Sequence, residues 1–125
     1  MIFDTDVIIW IERGHRQAAD LVNREAKRLI SQQTYLELLQ GASNRLQQKR
    51  SKAFLAEMEF EILPLSEAIG HRAATYIEQY ALSHGLLAGD ALIAATAAEH
   101  GQTLCTSNAK HFRAIKELKL KVFKP

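Results

Sequence analysis

Aspartate is scarce in this sequence: Asp4, Asp6, Asp20 and Asp90 are the only four. Asp4 stands where a short apolar strand ends, and Asp90 opens a helix that is apolar nearly all round. Glu37 falls in the first turn of a helix that follows a second strand. In an open α/β sheet these three places lie on one edge, outside the carboxyl ends of the strands. Carboxylates gathered in a partly dehydrated cleft repel one another and tend to hold protons unless a cation sits between them. Oxygen-only ligands that leave positions to water suit Mg²⁺ or Mn²⁺ rather than zinc. Such an ion activates water and stabilises a phosphoryl transition state.

Each carboxylate also has a purely structural reading. Asp4 can cap a helix beginning near Thr5 or Asp6, Glu37 can be the return partner of Thr34 in a capping box, and Asp90 can compensate a helix dipole. The set is harder to explain this way than its members, because Asp90 opens a helix too apolar to leave its carboxylate in free water. His15, His71, His84, His100 and His111 have no HxxxH-like spacing, which argues against a zinc hydrolase.

The elements that must place these groups follow from hydrophobic periodicity. Met1–Asp4 reads as a strand, Val7–Arg13 as a helix stopped by Gly14, and Arg16–Lys27 as a second helix. A strand over Arg28–Ser31 leads to a helix over Thr34–Gly41, and another helix covers Leu46–Met58. Phe60–Leu65 is a strand broken by Pro64. Ser66 and Glu67 open a long helix to His84, with Ile69, Ala73, Tyr76, Ile77 and Tyr80 on one face and Gly85 as its stop. Gly89–His100 is the apolar helix, and Thr103–Cys105 and Lys121–Phe123 are strands. The alternation predicts an α/β fold, a mostly parallel sheet between helices, as one domain over 1–125.

Composition fits this architecture. With 47% hydrophobic and 24% charged residues the chain can build a core without staples, and a single cysteine, Cys105, excludes an internal disulfide or a thiolate cluster. The opening reaches a carboxylate within four residues and has no basic flank before an apolar run, so no signal peptide is expected. No apolar stretch reaches the ~20 residues of a membrane span. A cytoplasmic location is the expectation. The net charge of +2 is unevenly spread: Lys110, Arg113, Lys116, Lys119, Lys121 and Lys124 face one acid, Glu117, which puts +5 on the last 16 residues and −3 on the rest. Such an edge suits a phosphate-bearing partner, and equally the protection of a sheet edge by lysines.

Four segments carry a family likeness: Ile2-Phe3-Asp4-Thr5-Asp6, then Ile30-Ser31 through Thr34-Tyr35-Leu36-Glu37-Leu38-Leu39-Gln40-Gly41, then Gly89-Asp90-Ala91-Leu92-Ile93-Ala94-Ala95-Thr96-Ala97, and finally Leu104 to Phe112. In this order and spacing they resemble the PIN-domain nucleases, and within them the VapC-type toxins of type II toxin–antitoxin pairs. The resemblance implies a PIN-like three-layer α/β/α sandwich and a Mg²⁺-dependent endoribonuclease, Mn²⁺ being a possible substitute. Asp4, Glu37 and Asp90 would be its acidic, metal-holding site. It also implies a cognate VapB-like antitoxin covering that site, a homodimer and a toxin–antitoxin hetero-oligomer.

One departure stands out. Many relatives place a fourth carboxylate at the position of Asn108 or His111, and this chain has none there. Asn108 is then expected to orient a water or a phosphate oxygen. Thr5, Asp6 and Thr106 are further candidates for positioning, with turn capping and helix initiation as their structural alternatives. Two competing functions remain at this level. Asp4-Thr5-Asp6 matches the DxD that opens haloacid-dehalogenase-like phosphatases, with Asp4 as nucleophile and Asp6 as general acid, although no Asp follows Asp90 to complete that site. A non-catalytic PIN-like RNA-binding module is the other.

Overall fold

The computed structural model describes residues 1–125. Five strands, β1 (Ile2–Phe3), β2 (Leu29–Ser31), β3 (Glu61–Leu63), β4 (Leu104–Thr106) and β5 (Leu120–Val122), form one sheet of order β3-β2-β1-β4-β5. Every pairing is parallel. The helices are α1 (Thr5–Glu12), α2 (Arg16–Asn23), α3 (Gln32–Gln40), α4 (Arg45–Glu57), α5 (Glu67–His84) and α6 (Ala88–Glu99), with a short 3-10 turn at Ala109–His111.

Strand alternation divides the core in two. Ile2, Leu29 and Leu104 face one side with Ile69, Ala73 and Tyr76 of α5 and Ala91, Ile93, Ala94, Ala95 and Ala97 of α6. Phe3, Ile30 and Cys105 face the other, against Val7 and Ile8 of α1, Ala18 and Val22 of α2, Leu38 of α3 and Leu55 of α4. Helices on both faces of a parallel sheet are what its wholly buried interior strands, β1, β2 and β4, require. Cys105 is therefore a buried hydrophobe in an interior strand.

The differences from the sequence expectations are local. Helix α1 begins at Thr5 rather than Val7, because the Asp4 side chain caps it, and α2 ends at Asn23, short of Lys27. Helix α3 begins at Gln32. Its cap is Ser31, whose Oγ accepts from the Thr34 N–H at 2.9 Å, so Thr34 lies inside the helix and forms no capping box with Glu37. Helix α5 is bounded as its sequence predicts, by Ser66 and by Gly85 at φ 69°. The apolar surface of α1 is mostly absorbed: Val7 and Ile8 are buried, Trp10 and Ile11 pack against the core, and only Ile9 is exposed. No helix is long and apolar enough to cross a membrane.

Candidate active site

The strand order reverses direction at β1, which pairs with β2 on one side and β4 on the other. Crevices at such switch points are where open α/β sheets bind ligands. The register Phe3↔Cys105 sets Asp4 beside Thr106, one step past each strand. The Asp4 N–H donates to the Cys105 carbonyl at 2.9 Å, and Thr106 Oγ1 donates to Asp4 Oδ2 at 2.8 Å. Asp4 Oδ1 accepts the Thr5 N–H at 2.8 Å. Asp4 thus caps α1 and is held rigidly, only 6% exposed, at the centre of the sheet's carboxyl edge.

Glu37 reaches the same edge from α3. Its Oε1 accepts from Thr5 Oγ1 at 2.5 Å, and Thr5 Oγ1 also lies 3.1 Å from Thr34 Oγ1. Its Oε2 accepts from Gln33 Nε2 at 3.2 Å. Above it runs the first turn of α6: a Cβ built on Gly89 would stand 2.8 Å from Glu37 Oε2. A glycine immediately before Asp90 therefore lets the two carboxylate-bearing helices approach each other.

Asp90 sits in the first turn of α6 with its side chain 21% exposed, and His111 Nδ1 lies 3.5 Å from its Oδ2. His111 is exposed and stands beside the acidic centre, brought there by the 3-10 turn. Asp6 is held by the turn after β4. Its Oδ2 accepts the Ser107 N–H at 2.9 Å, the Ser107 hydroxyl, and Asn108 Nδ2 at 3.3 Å. Its Oδ1 is buried and has no partner. Asn108, expected to orient a water or a phosphate, has its amide committed to Asp6. Ser107, Gln33, Gly89 and Thr34 escaped the sequence reading as site residues.

The electrostatics follow from this crowding. Burial, then Asp6, push the Asp4 carboxyl up from 3.8 to about 7, with Asp90 adding and the Thr106 and Thr5 hydrogen bonds opposing. Asp90 is likewise raised, chiefly by burial; His111 opposes this, while Glu37 and Asp6 reinforce it. Repulsion among carboxylates and an orphaned buried oxygen are what a cation would relieve.

Three acidic, histidine or cysteine groups are nowhere drawn together closely enough to enclose an ion. The donor set nonetheless fits a hard divalent ion, because Mg²⁺ keeps several waters and needs only one or two carboxylates. Asp4 and Asp90, with Glu37 behind Gly89, are the residues that would hold it.

Comparison with known proteins agrees with this fold. The PIN domain family model matches residues 1–118. A ribonuclease VapC10 of Mycobacterium tuberculosis is 31% identical over 123 residues, 95% of this chain and 90% of that protein. Among solved structures, a toxin–antitoxin complex from Klebsiella pneumoniae contains a chain 30% identical, with a TM-score of 0.78 over 94% of this chain and 93% of that one. VapBC-1 from nontypeable Haemophilus influenzae matches at 25% identity and a TM-score of 0.78, over 98% of each chain.

Proposed function

The chain belongs to the PIN-domain family, and on that premise we propose that it is the VapC-type toxin of a type II toxin–antitoxin pair, an endoribonuclease that hydrolyses RNA with Mg²⁺ or Mn²⁺. What supports the reading is that Asp4 lies at the switch point of the sheet, that Glu37 reaches the same edge under the first turn of α6, which carries Asp90, and that burial and neighbouring carboxylates raise both Asp4 and Asp90. When bound, the ion supplies an activated water and charge stabilisation for phosphodiester hydrolysis. The chain's own groups do the positioning. Thr106 and the Thr5 N–H fix Asp4, Thr5 and Gln33 aim Glu37 towards Gly89 and Asp90, and Asp6 braces the Ser107–Asn108 turn along the rim.

The phosphatase reading is disfavoured on the same geometry. Its general acid would be Asp6, whose Oδ2 is tied to Ser107 and Asn108, and no Asp follows Asp90 to complete that site.

A VapB-like antitoxin is the natural partner. A guanidinium from its tail, set among the carboxylates, would replace the ion's charge and supply bidentate hydrogen bonds. Leu82 and Leu87, fully and largely exposed, offer apolar surface for pairing two copies about a two-fold axis. The proposal is tested by expressing Asp4→Asn and Asp90→Asn. Each should abolish growth arrest and RNA cleavage while the protein stays folded; if both variants arrest growth at equal expression, the site is misassigned.

A further inference from the structure

The acidic centre by itself repels the phosphates of any RNA, so the strand must be held by positive charge nearby. A groove beside the site provides it. Ser107 and Asn108, the residues hydrogen-bonded to Asp6, line a cleft together with Lys110, Arg113 and Lys124. All three cations are exposed, and none is in an ion pair. The one acid of the C-terminal segment, Glu117, is engaged by Arg72 at 2.8 Å and by the Tyr76 hydroxyl on α5, and does not line this cleft. Protection of the sheet edge does not explain the three either, since Lys121 is the only cation within β5, and Lys110, Arg113 and Lys124 lie outside it.

We propose that this cleft is the track of the RNA backbone: Lys110, Arg113 and Lys124 bind successive phosphates of a single strand on one side of the scissile bond, and the Ser107–Asn108 turn delivers that strand to the carboxylates. This rests on the ribonuclease reading above and adds to it the path of the substrate. Contacts to phosphate alone fix position without reading bases, so the track supplies affinity and register while sequence choice lies elsewhere.

The test measures binding of a short labelled single-stranded RNA of mixed sequence to the Asp90→Asn protein, which keeps the strand intact, across a salt series. In that background the triple variant Lys110→Gln, Arg113→Gln and Lys124→Gln should weaken binding about tenfold and flatten the dependence of log Kd on log salt by about 2, the release expected for three phosphates on a single strand. The control triple Arg24→Gln, Lys27→Gln and Lys119→Gln removes the same charge from exposed positions near the amino ends of the strands and should change neither. Equal effects of the two triples, no effect of either, or loss of duplex DNA binding with RNA binding intact would each overturn the track. Cleavage of RNA by the otherwise wild-type chain, assayed in parallel, judges the ribonuclease reading separately.

Discussion

Gly89 lies so close to Glu37 that a methyl group on it would stand 2.8 Å from Glu37 Oε2. The obstructing atom is the end of a flexible side chain, so the fold can yield by moving the carboxylate. Gly89→Ala should therefore keep or slightly raise the melting temperature, since alanine favours a helix by up to about 1 kcal/mol over glycine. The same variant should lose RNA cleavage because Glu37 is displaced. Wild-type cleavage by Gly89→Ala would show that the position of Glu37 does not matter.

Glu37 and Ser31 separate function from capping. Ser31 caps α3, so Ser31→Ala should cost about 1 kcal/mol of stability and spare the chemistry. Glu37→Gln preserves shape and some hydrogen bonding but removes charge. It should reduce cleavage by roughly 10²-fold or more, the scale of a positioned acid–base group, with little change in melting. Melting curves and single-turnover cleavage of the two variants decide the matter, and active Glu37→Gln would take Glu37 out of the site.

The raised Asp4 carboxyl makes stability depend on pH. Its folded value, about 7, exceeds the ordinary 3.8, so between these values the folded chain holds a proton that the unfolded chain has released. The contribution is fully present below about pH 4 and is lost as pH rises through about 7. In chelator, wild type should lose melting temperature relative to Asp4→Asn between pH 5 and pH 8. Added Mg²⁺ or Mn²⁺ at pH 8 should recover it for wild type more than for the variant. A pH-independent difference between the two proteins would contradict the burial and repulsion assigned to Asp4.

Much of this was legible in the sequence. The apolar helix announced that Asp90 could not stand in free solvent, and Ser66 and Gly85 announced the limits of α5. The cap of α3 was not legible, because Ser31 and Thr34 are both hydroxyl residues within one turn and either satisfies the pattern; only the backbone shows which N–H is left to be capped. The link from Asp6 to Ser107 spans 101 residues. It leaves no periodic trace, since it depends on β1 and β4 being neighbours. The nearness of His111 to Asp90 is likewise not legible, because a three-residue 3-10 turn has too little period to fix where its side chains point.

The central claim is that Asp4 and Asp90 act through a divalent ion, and metal dependence of RNA cleavage tests it most directly. Purified chain, stripped of any bound antitoxin, should cleave RNA with Mg²⁺ or Mn²⁺, stop in excess EDTA and resume when the ion is restored, while Asp4→Asn and Asp90→Asn stay inactive throughout. Cleavage undiminished in excess EDTA would contradict the account.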